Sequence, residues 1–190
     1  MFEEAYAKCK ATEFDAERWE TEEWEDVHHL PYDDKVQSGV DLKDLVDVGT
    51  KLSYLPEDMN FHRLVRKIFE ARHNSIVNGK GIDWGTAEAL AFATLIQDGY
   101  QVRISGQDVE RGTFSHRHAH VFHQDKDGYY NPINAAVTQK GEKTTRKFIA
   151  SNSHLSEFAV LGFELGYSQT HPNTLVLWEA QFGDFANGAQ

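Results

Sequence analysis

Three stretches of this 190-residue sequence carry side chains able to do chemistry. The first runs Ser105-Gly106-Gln107-Asp108-Val109-Glu110-Arg111-Gly112-Thr113-Phe114-Ser115-His116-Arg117-His118 and leaves a strand-like segment. Gly106 allows close backbone approach, and the Gln107 amide offers a donor and an acceptor to the edge of a ring. The same residues also suit a plain glycine turn with polar groups on its surface. The second stretch is histidine: four of the ten lie between 116 and 123. In an extended chain His116, His118 and His120 share one face, and such a face could bind zinc. No accompanying cysteine or carboxylate is diagnostic, so His116 and His118 read better as pocket lining, with a His-rich metal module as the alternative. The third stretch is Leu155-Ser156-Glu157-Phe158-Ala159-Val160-Leu161-Gly162-Phe163-Glu164-Leu165-Gly166-Tyr167. Glu157 falls in the first turn of an otherwise apolar helix, where a carboxylate is favoured by the helix N-terminus. Its neighbours are apolar on every side, so it must pair, accept hydrogen bonds or hold a proton. That makes it a site candidate as well as a possible surface acid. Glu164, seven residues on, reads as a surface or interface pairing, and Gly162 and Gly166 as marks of close helix packing. Phe182 and Phe185 flank Gly183-Asp184 and suit either core packing or a stacking platform for a flat heterocycle.

The elements that must position these residues follow from periodicity. Residues 3–25 read as a short helix or a linker bearing Trp19 and Trp24, and residues 26–60 as a turn-rich segment ordered only when docked. Residues 61–77 place Leu64, Ile68, Ala71 and Ile76 at helical spacing, ended by Asn78-Gly79. Residues 84–97 are apolar nearly all round, which predicts a buried helix. Residues 100–105 read as a strand, 118–124 as a short strand before an Asp127-Gly128 turn, 140–147 as a polar excursion and 147–151 as another strand. A helix is predicted over 156–167, capped by Asn152 or Ser153. Leu175 to Trp178 is a continuous apolar run, the pattern of a strand buried on both faces. The order predicts an α/β fold with a largely parallel sheet and flanking helices. No helix follows the last strand, so the fold is expected to be incomplete at the C-terminus.

Composition excludes several classes. Forty per cent apolar residues and 12% aromatics suffice for a core. The net charge of −11 argues against nucleic acid. No apolar run reaches membrane-spanning length, and a lone cysteine, Cys9, cannot staple a fold. Residues 1–60 hold 17 acidic and 6 basic residues, and the other 130 hold 13 of each. An acidic, solvated approach segment is therefore expected over 1–60 and a balanced globular part after it. The opening segment has neither the basic flank and apolar stretch of a signal peptide nor the Arg-rich, acid-poor make-up of a transit peptide.

Four words, in this order, carry a resemblance: GIDWGTAEALAFATL (81–95), SGQDVERGTFSHRHA (105–119), NSHLSEFAVLGFELGY (152–167) and LVLWEAQFGDFANGAQ (175–190). From about residue 55 onward the chain resembles the E1 component of the 2-oxoglutarate dehydrogenase complex, a thiamine-diphosphate-dependent decarboxylase of the tricarboxylic acid cycle. The E1 of 2-oxoadipate dehydrogenase is a close relative. The resemblance implies an acidic interdomain linker or extension over 1–54 and the front part of a transketolase-like pyrimidine-binding domain over 55–190, working in a homodimer with the cofactor between subunits. It implies lipoyl-bearing E2 and E3 as partners, a 2-oxo acid as substrate, and the mitochondrial matrix in a eukaryote or the cytoplasm otherwise. Glu157 matches the glutamate that hydrogen-bonds N1′ of the aminopyrimidine and so helps the thiazolium C2 lose its proton. Gln107 matches a cofactor-contacting glutamine, Phe185 the aromatic that stacks on the pyrimidine with Phe182 nearby, and Leu155 the apolar residue beside the glutamate. His116 and His118 carry over only as pocket lining.

The departures have consequences. Gly-Asp-Gly, the magnesium and diphosphate motif of thiamine enzymes, does not occur here; Gly183-Asp184-Phe185 is a different motif. By the resemblance, the family's diphosphate-binding domain is expected upstream of this stretch and its C-terminal domain downstream. The magnesium ligands are therefore expected outside this chain, and the fragment alone is expected to be inactive. A non-catalytic truncated paralogue that docks on the full enzyme is the other reading.

Overall fold

The computed structural model describes residues 1–11, 24, 25, 27, 37–138 and 146–186, the side chain of Phe185 excepted. Trp19 and most of the polar excursion expected at 140–147 lie outside these residues. The chain divides into two compact units, Met1–Asp34 and Lys35–Gln190. In the first, α1 (Phe2–Ala11) buries none of its residues. Glu3 and Glu4 in its first turn and Lys8 and Lys10 in its last complement the helix dipole.

The second unit opens with α2 (Leu42–Leu52), α3 (Arg63–Asn78) and α4 (Trp84–Gln97). Each helix has a local cause. The His62 ring accepts from Leu64 N at the start of α3, and Gly79, at φ 63°, ends it in the left-handed conformation. The Asp83 carboxylate caps α4 by accepting from Thr86 N at 2.8 Å. Burial pushes the Asp83 pKa up, but its hydrogen bonds from Thr86 and the Arg72 charge outweigh that and hold it below the usual carboxylate value. The part of the chain read as linker contains α2, whose fully buried Val48 and Leu52 join Phe92 and Ile96 of α4 in the main core.

The sheet has three parallel strands in the order β4 (Phe148–Asn152), β1 (Gln101–Gly106), β5 (Thr174–Glu179). Its register aligns Val102 with Phe148 and Gly106 with both Asn152 and Glu179. Side chains alternate across it. Val102 and Ile104 enter the core with α2, α4 and α5 (Pro132–Val137), where Phe92 and Phe148 stack at 5.3 Å. Arg103 points the other way and meets Glu164 of α6 (Glu157–Ser168). Helices thus cover both faces, and the predicted α/β parallel architecture is the observed one.

Four expectations are corrected. The strand expected to be buried on both faces, β5, lies at a sheet edge with all six residues half-buried. The strand expected near 118–124 stays out of the main sheet: β2 (Val121–Phe122) pairs antiparallel with β3 (Tyr129–Tyr130). The cap of α6 is Ser156, which accepts from Ala159 N at 3.4 Å, because the helix starts later than Asn152 or Ser153 would allow. A Cβ on Gly162 or Gly166 meets nothing within 4 Å, so these glycines make no close packing among the described residues.

Candidate active site at the carboxyl edge of the sheet

Parallel register brings the ends of β4, β1 and β5 side by side, and the segments that follow them leave from one edge. Crevices of this kind are where α/β sheets hold ligands. Gln107 follows β1 directly and is half-buried. Gly106 before it has φ 150°, and a Cβ there would lie 2.2 Å from the carbonyl oxygen of Glu179, so only glycine permits β1 and β5 to close at this point. The segment after β4 is tied to the same place by Ser153 N donating to Gly106 O at 2.9 Å.

The position of Glu157 is set by how α6 lies on β1. Gln101 Nε2 donates to the Tyr167 hydroxyl at 3.0 Å, and Arg103 donates through Nε and Nη2 to the two Glu164 oxygens at 2.8 and 2.7 Å. Helix and strand therefore run antiparallel. Seven helical residues back from Glu164 cover about 10 Å, and three strand residues beyond Arg103 cover about the same. This direction puts the first turn of α6, which bears Glu157, toward the carboxyl end of β1. Two helical turns separate Glu157 from Glu164, so both sit on one face of α6. Glu164 is buried, not the surface pairing expected, and Glu157 is half-buried. By alternation Ser105 also faces α6; its hydroxyl is buried and has no hydrogen-bond partner among the described residues. Leu155, just before, is exposed.

The other face of this edge, beside α4, holds a cleft of about 510 Å³ lined by Trp84, Thr113, Phe114, His116, Glu179 and Phe182 among others. Phe114 and Phe182 meet edge to face at 5.9 Å. A 3-10 turn, Phe182–Ala186, carries Phe182, and Asp184 secures it by accepting from Gln181 N at 2.7 Å. The predicted residues Gln107, Leu155, Glu157, Phe182 and His116 therefore gather at one edge but divide between its faces. Phe185 lies on the same 3-10 turn, and its side chain is outside the described atoms.

The histidines do not share a face. Positive φ at Ser115 (54°) and His118 (49°) turns the chain where an extended run was expected. His116 enters the cleft. His120 pairs with Glu110 at 3.2 Å and stacks on Tyr129 at 3.9 Å, while His123 stacks on Phe61. Burial, then the nearby Arg72 charge, holds the His118 pKa below its ordinary value. The metal-capable donors found among the described residues are Glu88, His116 and Glu179, but Arg117 already takes both carboxylates. A three-histidine zinc face is therefore not formed.

Sequence reasoning missed the arginines. Arg103 sits in a buried strand and Glu164 in an apolar helix. Charges in such places seldom stand unpaired, and that signal could have joined them.

The fold and edge together define an α/β domain with a parallel sheet and, toward the carboxyl edge of that sheet, a helix whose first turn bears a half-buried carboxylate. Residues 80–190 match the family described as "Transketolase, pyrimidine binding domain", and the chain belongs to that family. It is 49% identical over 177 residues to "2-oxoglutarate dehydrogenase, mitochondrial" of Dictyostelium discoideum, covering 92% of this chain and 17% of that protein. It is 43% identical over 198 residues to the protein of the same name in Saccharomyces cerevisiae, covering 100% of this chain and 19% of the relative. It is 51% identical over 153 residues to "2-oxoglutarate dehydrogenase E1 component" of Rickettsia felis, covering 80% and 15%. The chain thus spans less than a fifth of the length of these relatives.

Proposed function

We propose that this chain supplies the pyrimidine-binding half of a thiamine-diphosphate site in the E1 component of a 2-oxoglutarate dehydrogenase complex. The observation that carries the reading is the Arg103–Glu164 fork, which with the Gln101–Tyr167 bond sets α6 antiparallel to β1 and so directs the Glu157 end of the helix toward the Gly106-Gln107 end of the strand. The donor set fits an aminopyrimidine: one carboxylate, one orphaned serine hydroxyl and one amide beside the end of a strand. Glu157 holds a proton between its carboxylate and ring N1′. Gln107 orients the ring edge, and Leu155, exposed in this chain, lies beside the carboxylate in sequence where a bound ring or second subunit would cover it. The resemblance assigns the aromatic wall to Phe185 with Phe182 nearby, Phe182 standing in the cleft on the α4 face. Thiamine diphosphate, when bound, supplies the acidic carbon that adds to the keto group and the electron sink for loss of carbon dioxide. Magnesium and diphosphate are assigned to another part of a longer protein, since no Gly-Asp-Gly occurs here.

The names of the relatives support 2-oxoglutarate as the substrate, with the succinyl group passing to a lipoyl-bearing E2 and an E3 completing the complex. The exposed face of α6, with Phe158, Leu161 and Leu165, supports a homodimer in which a second subunit covers it. Relatives from eukaryotes are named mitochondrial, which supports the matrix in a eukaryotic source. No helix among the described residues is long and apolar enough to cross a membrane. The test is Glu157→Ala in the full-length protein. Cofactor-dependent decarboxylation should fall by about 100-fold or more, the scale of a lost acid–base group, with the far-ultraviolet circular dichroism unchanged. Unchanged turnover removes Glu157 from the mechanism.

A further inference from the structure

The carboxyl edge is held by a side chain to which the proposed function gives no task. Arg117 is 3% exposed. Its Nε and Nη2 donate to the two oxygens of Glu88 at 2.6 and 2.9 Å. Nη1 and Nη2 donate to those of Glu179 at 3.1 and 2.5 Å, and Nη1 also donates to the Val109 carbonyl at 2.9 Å. One guanidinium thus ties together α4, the turn after β1 and the last residue of β5. Burial opposes its charge, but the hydrogen bonds to Glu88 and Glu179 prevail and raise its pKa. A second buried arginine grips the same loop: Arg72 Nη2 donates to the carbonyls of His116 at 3.0 Å and Arg117 at 3.4 Å. On its other side the loop lies on the α4 backbone, where a Cβ on Gly85 would come within 2.2 Å of the His116 carbonyl.

Glu179 is the residue through which this clamp reaches the site. It ends an edge strand and leads through Ala180 and Gln181 into the 3-10 turn bearing Phe182. Two side-chain bonds fasten that junction to the loop after β1: Glu179 to Arg117, and Gln181 Nε2 to Thr113 Oγ1 at 2.7 Å. β5 pairs with β1 along its whole length, and these two bonds carry the attachment past its end to the segment bearing Phe182.

We propose that Arg117 is a positioning residue for the cofactor site, acting through Glu179 to hold the Phe182 segment in place against the loop after β1, where Gln181 meets Thr113 and Phe182 meets Phe114. It thereby sets affinity for the cofactor's ring and leaves the chemical step alone. This rests on the proposed function, and the wild-type arm of the test reads that function separately.

The test uses three variants of the full-length protein, each checked by circular dichroism at the assay temperature. Glu179→Gln cuts the link to β5 and leaves the Arg117–Glu88 fork. Arg117→Lys keeps the charge and loses the planar fork. Glu88→Gln cuts the link to α4 and leaves β5 attached. Glu179→Gln and Arg117→Lys should raise the thiamine diphosphate concentration for half-maximal activity by about tenfold, with kcat at saturating cofactor within about threefold of wild type. Glu88→Gln should lower the melting temperature while half-saturation stays within about twofold. A merely structural clamp would lower all three melting temperatures and leave half-saturation in place, and that result overturns the proposal. So does a fall in kcat with no change in half-saturation. Should Arg117→Lys not accumulate as folded protein, calorimetric titration of Glu179→Gln with thiamine diphosphate and magnesium decides alone. A wild-type protein that neither binds thiamine diphosphate nor decarboxylates 2-oxo acids overturns the proposed function and this inference together.

Discussion

Glu164→Gln perturbs the contact that fixes where α6 lies on the sheet. The Glu164 side chain is 4% exposed and that of Arg103 14%. The arginine donates two hydrogen bonds to the carboxylate, and these outweigh burial to raise its pKa above the ordinary value. Its guanidinium also lies 4.8 Å from the Tyr167 ring centre and 5.6 Å from that of Phe163. Breaking a buried pair by removing one charge costs about 3–5 kcal/mol, because the other charge is stranded. Here the glutamine still accepts one hydrogen bond, worth about 1 kcal/mol. The arginine also keeps its aromatic contacts and a narrow path to water. A loss of about 2–3 kcal/mol is therefore expected. For a chain of this length that is about 5–10 °C in melting temperature. Arg103→Met removes the stranded cation, so the double variant should be less unstable than the sum of the two singles, with a coupling of at least about 1 kcal/mol. Urea unfolding of wild type, both singles and the double measures this. A shift under about 2 °C for Glu164→Gln, or strict additivity, refutes the argument that this pair sets the register of α6.

Two further outcomes follow from the same geometry. Gly106→Ala would place a methyl 2.2 Å from the Glu179 carbonyl and 2.9 Å from Val109 Cγ1 at φ 150°, and should cost about 2–4 kcal/mol in urea unfolding; a loss below about 1 kcal/mol would mean that β1 and β5 can part freely there. His118 has its pKa lowered by burial and then by Arg72, so the fold favours its neutral form. Its contribution is complete above the unfolded-state pKa near 6.5 and is lost as pH falls from there toward the depressed value. The urea midpoint should drop between pH 7.5 and 5.5, and drop less in His118→Gln; equal drops in the two proteins would show that His118 does not carry the effect.

How much was legible divides along the range of the interactions. Helix α4 runs from Trp84 to Gln97, as the apolar run and its Asp83 cap indicate, because capping and burial of such a run are decided within a few residues. The Gly79 stop of α3 is equally local. The apolar run Leu175 to Trp178 revealed a strand but not its place at a sheet edge, since apolarity reports that a strand has a core to join and not how many neighbours flank it. Alternation predicted a shared face for His116, His118 and His120. The turns at Ser115 and His118 that separate them are positive-φ conformations imposed on side-chain-bearing residues by the packing of the loop on α4 and Arg72.

The sequence by itself determined the α/β class, the order of the elements and, through motif resemblance, the residues to be examined. Tertiary structure alone decided that the Glu157 end of α6 lies toward the carboxyl end of β1 and that one arginine clamps the edge. The first depends on Arg103 and Glu164, 61 residues apart, and the second on Arg117 reaching Glu88 and Glu179, 29 and 62 residues away. Charges buried in a low-dielectric interior must find partners, but which partner is fixed by the parallel register and by the lie of a helix on a strand. Those are properties of strands brought together across long loops, and no local pattern of residues encodes them.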